Sequence, residues 1–387
     1  MATNSRQEMA STPLCDFCEE LIGRLFNPQS YPYSLMMRTS LYDTATNCAL
    51  CRLITRADST HHVFRRLKFP VFITVGYLRS YAPGQSAPPV TKLKLSIDDK
   101  HPMEFSIWVD EGNQTPRDLG ISTERPIFTN NPYEAVPLIS KWLRECLLSH
   151  DDCLKTVCGQ PISQGEYVTL PTRALCVTNL GHIKLLESRG LKDRYCALSH
   201  CWGSPDNQPL RTVKENLKTH LAGIPFSKLP KTFQEACIIT RGLGVDYLWI
   251  DSLCIVQDDP DDWFHEAQIM GSIYEKATLM ISASGSSDSN GGCFVVERSE
   301  DTPTASIFVK TNDEHIIRLN LRLIPQATND PAHGPLASRG WALQERYLAR
   351  RMVFFMPGGI SWHCHNTTLD EQSSRAYFEL FEHLSWC

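Results

Sequence analysis

Between Tyr195 and Ala283 the chain alternates three short apolar runs with two segments of helical periodicity, and this alternation restricts the fold more than any other feature. The runs are Tyr195-Cys-Ala-Leu-Ser199, Val245-Asp-Tyr-Leu-Trp-Ile250 and Ala277–Ala283. A strand with so little polar alternation needs cover on both faces, the condition of a parallel sheet flanked by helices. After Leu229-Pro230, Thr232 and Glu235 stand three apart as a capping-box signature, so a helix starts there and ends at Gly242 or Gly244. Asp258, Asp259, Asp261 and Asp262 lead a second helix, where the dipole favours acids. The same acids would suit Mg²⁺ or Ca²⁺, but they lack the Gly and the spaced Glu of an EF-hand loop. Strand, helix, strand, helix, strand with short links predicts a parallel α/β sheet.

The flanking segments read differently. Helical spacing occurs around Cys15–Phe26 and Cys48–Arg56, and strands are expected at Val71–Leu78, Leu93–Ile97 and Glu104–Val109. Prolines make 82–89 a loop, and 111–132, polar and rich in Pro and Asn, reads as a linker or long loop. Val136–Leu148 predicts an amphipathic helix. Beyond the core come strands at Ser306–Lys310 and His315–Leu319, a helix start at Arg339-Gly-Trp-Ala-Leu-Gln-Glu-Arg346 and a strand at Arg351–Phe355. Phe378–Cys387 reads as an amphipathic helix whose Phe381, Leu384 and Trp386 suggest truncation or a partner surface. The expected organisation is a Cys-bearing segment 1–70, a strand-rich region and linker 71–190, an α/β domain 191–365 and a C-terminal helix 366–387. The class is α/β, with an N-terminal Cys-rich α+β region and a C-terminal β/α extension.

Composition narrows the functions. The 387 residues carry 38 basic and 43 acidic side chains, a net charge of −5, which gives no electrostatic reason to bind nucleic acid. No apolar run approaches the ~20 residues that a bilayer requires, and the first residues lack the charged and apolar regions of a secretory signal. A cytoplasmic protein is expected, with its 15 cysteines reduced. Cys176, Cys237 and Cys254 lie in apolar runs and are expected in the core. Cys15-x-x-Cys18 and Cys48-x-x-Cys51 can supply four thiolates to a structural zinc ion, or pack as small thiols between two helices. The gap between the hooks is longer than the usual ~15–20 residues. His150, Cys153 and Cys158 form a weaker metal cluster.

Four segments together resemble the fungal heterokaryon-incompatibility (HET) domain. They are Tyr195-Cys-Ala-Leu-Ser-His-Cys-Trp-Gly203, Leu229-Pro-Lys-Thr-Phe-Gln-Glu-Ala236, Tyr247-Leu-Trp-Ile-Asp-Ser-Leu-Cys-Ile-Val-Gln-Asp-Asp259 and Arg339-Gly-Trp-Ala-Leu-Gln-Glu-Arg346. The Trp142…Cys146…His150…Cys153 stretch is similar to the leader of such proteins. The resemblance covers about 190–365 and implies a part in self/non-self recognition and cell death, with self-association or another incompatibility protein as partner. It also implies a remote kinship to TIR domains, some of which hydrolyse NAD, and hence a TIR-like or flavodoxin-like sheet. On that analogy Ile250-Asp251 ends the second strand, and Glu266 is the glutamate in the helix after the loop.

Helical spacing places Trp263, Ala267, Met270, Ile273, Tyr274 and Ala277 on a buried stripe with Glu266 at its border, partly desolvated and with a raised pKa. One carboxylate near a ribose can hold its hydroxyls and stabilise an oxocarbenium-like state. Glu266 is therefore the expected catalytic residue, or a core-edge glutamate without chemistry. Trp202 is expected to stack on nicotinamide, with Ser199, His200 and Gly203 at the first strand's carboxyl end and Asp251 and Trp263 completing the substrate site. A Cys/His hydrolase would draw on His200 with Cys201, or Cys254 with His265, though strand neighbours point to opposite faces. Arg339, Trp341, Gln344 and Glu345 either lock the last segment to the sheet or line the pocket with Asp251. A non-catalytic assembly module and a small-molecule enzyme using the same pocket are the alternatives.

Overall fold

A computed structural model describes residues 14–25, 33–38, 40–57, 71–79, 90–97, 100–110, 121, 129–162, 167–295, 304–310, 316–324, 331–371 and 373–377. The expected helix at Phe378–Cys387, the loop 82–89 and most of the linker 111–132 lie outside the described residues. The chain divides into two compact units, both discontinuous in sequence. Among the described residues it is a mixed α/β protein with a large antiparallel sheet, a large partly parallel sheet and a short antiparallel pair.

The first unit is built from α1 (Asp16–Leu25), β1 (Tyr33–Met37), α2 (Leu41–Thr44), α3 (Ala49–Ala57), β2 (Val71–Arg79), β3 (Val90–Ile97) and β4 (Lys100–Val109). Two later strands, β12 (Thr304–Lys310) and β13 (Ile316–Ile324), complete it. The strand order is β1-β2-β3-β4-β13-β12, with every neighbour antiparallel. Alternation explains the packing. Ile73 and Val75, Leu93 and Leu95, Phe105 and Ile107, and Leu319 and Leu321 repeat at period two and bury one face. Leu21 and Ile22 of α1 and Leu50 and Ile54 of α3 belong to the same core. β13 thus joins the N-terminal strands by pairing with β4, and β12 pairs with β13, although both lie far beyond β4 in sequence.

The second unit starts with α4 (Pro132–Ser149), longer than the expected Val136–Leu148. Its start is fixed by Asn131, whose side chain accepts from the Glu134 N–H at 3.0 Å, with Pro at the first helical position. The short pair β5 (Val168–Thr169) and β8 (Lys192–Asp193) brackets β6 (Arg173–Cys176) and β7 (Lys184–Glu187) in sequence. Then come β9 (Tyr195–Ser199), α5 (Leu217–Ala222), α6 (Lys231–Gly242), β10 (Tyr247–Ile250), α7 (Asp251–Cys254), α8 (Pro260–Lys276) and β11 (Leu279–Ser282). α9 (Gly340–Leu348), β14 (Arg351–Met356), β15 (Gly359–Cys364) and β16 (Thr368–Asp370) follow.

The main sheet of this unit runs β16-β15-β14-β11-β9-β10-β6-β7. Among the described residues β10, β9, β11 and β14 are the mutually parallel strands, and all four are buried almost throughout, as the apolar runs require. The margins, β6 with β7 on one side and β15 with β16 on the other, are antiparallel. The chain passes from β9 to β10 on one side, then returns across β9 to β11. In open α/β sheets ligands settle at the strands' carboxyl ends where the winding reverses in this way.

Three local expectations are corrected. Thr232 and Glu235 do not cap α6, because its N-cap is Pro230, which makes no side-chain hydrogen bond. They hold the following loop instead: Thr232 Oγ1 accepts from Gly292 N at 3.1 Å, and Glu235 Oε2 accepts from Cys293 N at 2.5 Å. The stripe of α8 is rotated: Trp263 is 49% exposed, while Glu266 is wholly buried with Ile273 and Tyr274. Cys237 and Cys254 are core residues, but Cys176, at the end of a marginal strand, is only partly covered.

Candidate functional site

The carboxyl ends of β9 and β10 carry a buried polar network. His200 follows β9 and Asp251 opens α7 directly after β10, so the parallel register sets them side by side. His200 Nε2 lies 3.1 Å from Asp251 Oδ1, and the Trp202 indole donates to Asp251 Oδ2 at 2.8 Å. Ser252 N also donates to Asp251 Oδ1 at 2.7 Å. Arg339, the N-cap of α9, donates to the His200 carbonyl, stands 3.5 Å from Asp251 Oδ2 and lies over the Trp202 ring at 6.0 Å. Ser289 Oγ meets His200 Nδ1 at 3.0 Å, and Phe233 presents its edge to the imidazole. Burial alone would raise the Asp251 pKa. The charge and hydrogen bond of His200, the Arg339 guanidinium and the Trp202 indole outweigh it and bring the group down to about 2. Gly203 closes the turn at φ +89°, where an added Cβ would sit 2.5 Å from the Asn207 carbonyl oxygen, so a glycine is required.

Beside this network, on the β11 side, a cleft of about 160 Å³ opens over the reversal point. Ser199, Ser282, Ser284, Phe354 and the α9 residues Ala342 and Arg346 are among its lining. The Ser199 hydroxyl donates to Glu345 Oε2. Glu345 is buried, and that burial raises its pKa. Asp251 pushes it further up, while Ser199, Arg339 and His200 pull it down. Sequence reasoning left Glu345 open between a lock and a pocket residue, and it missed Ser282, Ser284 and Ser289. The available signal for the serines was their place at the end of the third parallel strand and in the loop after it.

Glu266 occupies the other flank. It is brought to Arg173, which lies at the β10 carboxyl end because β6 runs antiparallel to β10. The nearest guanidinium nitrogen is 3.9 Å away, since Arg173 is engaged by Asp262 and by the Cys254 carbonyl at 2.7 Å. Neither Glu266 oxygen accepts a well-formed hydrogen bond among the described residues. Burial raises its pKa, with Thr172 and Arg173 offsetting only part. Ser199, His200, Trp202, Gly203 and Asp251 therefore converge at the strand ends. No hydrogen bond or ion pair among the described residues joins Glu266 to them, and Trp263 points outward from the same helix.

A Cys/His nucleophile pair is not assembled. The His200 ring faces Asp251, and the hydrogen bond it makes to Cys201 goes to the backbone carbonyl and not to the thiol. Cys254 is buried, which pushes its thiol up to about 12, while His265 is exposed.

In the first unit Cys15, Cys18, Cys48 and Cys51 place their sulfurs within 4.8 Å of one another, a set that could hold a metal ion. Cys15 and Cys18 stand 3.3 Å and 3.5 Å from Cys51. Hydrogen bonding from Cys18 contributes most to bringing Cys15 down to about 6. The donor set suits zinc, a borderline-soft ion that binds thiolates tetrahedrally. The long gap between the hooks is spanned by β1 and α2, which explains why a spacing rule for short loops does not apply.

Residues 195–345 match the family model described as heterokaryon incompatibility protein (HET). This stretch of the chain is a HET domain. No curated protein matches the chain, and no solved structure does.

Proposed function

We propose that this HET domain acts in heterokaryon incompatibility by cleaving NAD in the cleft beside β9 and β11. The β10-β9-β11-β14 succession supports a TIR-like or flavodoxin-like reading of the parallel strands. The observation that carries the proposal is the Ser199–Glu345 pair: a buried carboxylate held by a hydroxyl that lines the cleft at the winding reversal.

In this reading the ribose attached to nicotinamide enters the cleft. Glu345 then takes a sugar hydroxyl as its partner and stabilises the positive charge that develops at the anomeric carbon. The carbon–nitrogen bond breaks, and the pyridinium nitrogen keeps the electron pair, leaving as neutral nicotinamide. Water adds to the anomeric carbon and gives up its proton to solvent or to the carboxylate, so the products are nicotinamide and ADP-ribose. Ser199 positions Glu345, and Trp202, with Arg339 over its ring, is a stacking surface next to the strand ends. Glu266 stays the second candidate acid, supported by its burial and unsatisfied oxygens. The four N-terminal thiols hold a structural zinc ion in this proposal.

Purified protein incubated with NAD should release nicotinamide, and Glu345→Gln should stop it while leaving the fold intact. Release that survives Glu345→Gln and disappears in Glu266→Gln would move the chemistry to the other flank. A second reading, a non-catalytic assembly module, is favoured by one observation: Trp341, Leu343 and Tyr347 of α9 are exposed apolar side chains. It predicts that substitutions there abolish self-association and toxicity together, whereas Glu345→Gln spares both.

A further inference from the structure

We infer that Cys146, His150, Cys153 and Cys364 bind one zinc ion that clamps the end of α4 to the end of β15. The inference is independent of the reaction assigned to the cleft. Three separate pieces of backbone build the site. Cys146 and His150 are four apart at the end of α4, on one face of the helix. His150 ends that helix by donating its N–H to the Cys146 carbonyl at 3.1 Å, and the turn Asp151–Leu154 then brings Cys153 round. Cys364 arrives from the last residue of β15, far away in sequence.

The donor atoms all lie within 4.8 Å of one another, and His150 Nδ1 is 3.4 Å from Cys364 Sγ. A tetrahedral zinc ion with ~2.3 Å bonds to sulfur and ~2.05 Å bonds to nitrogen needs S···S edges of roughly 3.8 Å and N···S edges of roughly 3.6 Å. Small rotamer changes close the difference. The three thiols are free, and Cys146 and Cys153 are buried. A disulfide would use only two of the thiols and leave the imidazole without a task.

The surroundings suit a metal–thiolate centre. Three thiolates and one neutral imidazole around Zn²⁺ leave a net charge of −1, and the buried guanidinium of Arg351 donates to Cys146 Sγ at 3.2 Å. Arg350 and Arg351 also donate to the Cys153 carbonyl at 2.7 Å and 2.9 Å, which fixes the turn that presents this ligand. Cys153 Sγ also lies 3.5 Å from Asn366 Oδ1, a weak thiol bond that metallation would replace. With four protein ligands the centre is closed, hence structural and not catalytic. It would fasten the β14–β15 hairpin, and β14 supplies Phe354 to the cleft. Cys158, which the sequence grouped with His150 and Cys153, is exposed and outside the set.

Zinc content of the purified full-length chain tests this directly. Cys364→Ser is expected to carry one zinc fewer per chain than wild type, and Cys158→Ser the same number. Equal zinc in Cys364→Ser and wild type would overturn the proposal, as would an intact mass two hydrogens lighter under non-reducing conditions with the bond mapped to these cysteines. If Cys364→Ser does not fold, cobalt loading of Cys15→Ser/Cys18→Ser isolates the second centre. That variant should show thiolate-to-cobalt charge transfer with a mixed sulfur–nitrogen spectrum. Adding His150→Cys should keep the metal and shift the spectrum to an all-thiolate type. An unshifted spectrum or no cobalt band would refute it.

Discussion

The two flanks of the β9–β10 strand ends each bury a glutamate, and the two are handled in opposite ways. Glu345 receives a hydroxyl from Ser199 and stands beside a cleft. Glu266 has a guanidinium close by that is already committed to Asp262, and among the described residues neither of its oxygens accepts a well-formed hydrogen bond. Desolvation raises both pKa values. Burial therefore does not separate an acid positioned for a ligand from one left over by helix packing; the partner and the neighbouring space do.

Asp251 stands between the flanks, and its removal gives the largest expected effect. Asp251→Ala leaves His200, the Trp202 indole and the Arg339 guanidinium without their shared acceptor. Breaking a buried pair by deleting one partner costs about 3–5 kcal/mol. The pH dependence has a defined direction. The folded pKa, about 2, is below the ordinary 3.8, so the stabilisation is present above pH 3.8 and is lost as pH falls toward 2. Urea unfolding from pH 5 to 2 should show this loss in wild type and none of this component in Asp251→Ala. A wild-type midpoint constant across that range would break the account of the network.

Next in size is Glu345→Gln, which sharpens the comparison on the cleft side. Removing one group that stabilises transition-state charge costs about 10²–10³ in rate. Nicotinamide release should fall by that factor with the unfolding midpoint held or slightly raised at neutral pH. Unchanged release would leave the Ser199–Glu345 pair a purely structural contact.

The flanks also differ in how far the sequence revealed them. Strand-length apolar runs located β9, β10 and β11 within one or two residues, because residues buried on both faces leave little room for polar alternation. β6 and β7, four residues each, are too short to show a period, so the antiparallel margin that supplies Arg173 was not foreseen. The orientation of α8 was read as if its largest apolar residue had to face inward. Trp263 stays outside, because Asp262 and Glu266 turn toward Arg173. Cys364 carried no local signal; only the folding of β15 against the end of α4 brings it to Cys146, His150 and Cys153.

On the other flank Glu266→Gln is expected to stabilise modestly. A raised folded pKa means that the group supports the fold fully below its unfolded pKa and loses that support as pH rises through the folded value. The amide cannot ionise, so the variant should unfold a few degrees above wild type at pH 7 and close to wild type at pH 4. Thermal scans at the two pH values measure it. A destabilised Glu266→Gln at pH 7 would mean that its charge is needed, which the absence of a well-formed hydrogen bond to it among the described residues argues against.

Trp263→Ala has the smallest expected effect and bears on whether Glu266's helix touches substrate at all. The side chain is 49% exposed, one turn ahead of the buried glutamate on α8. Surface substitutions away from caps and networks usually stay within about 0.5 kcal/mol, and that is the expected stability change. Nicotinamide release should also be unaltered if the ribose lies in the cleft beside Glu345. A rise in KM at unchanged kcat would instead show Trp263 gripping the dinucleotide from outside. Glu266's flank would then be part of the binding surface after all, and the two acids would be facing the same ligand from opposite sides.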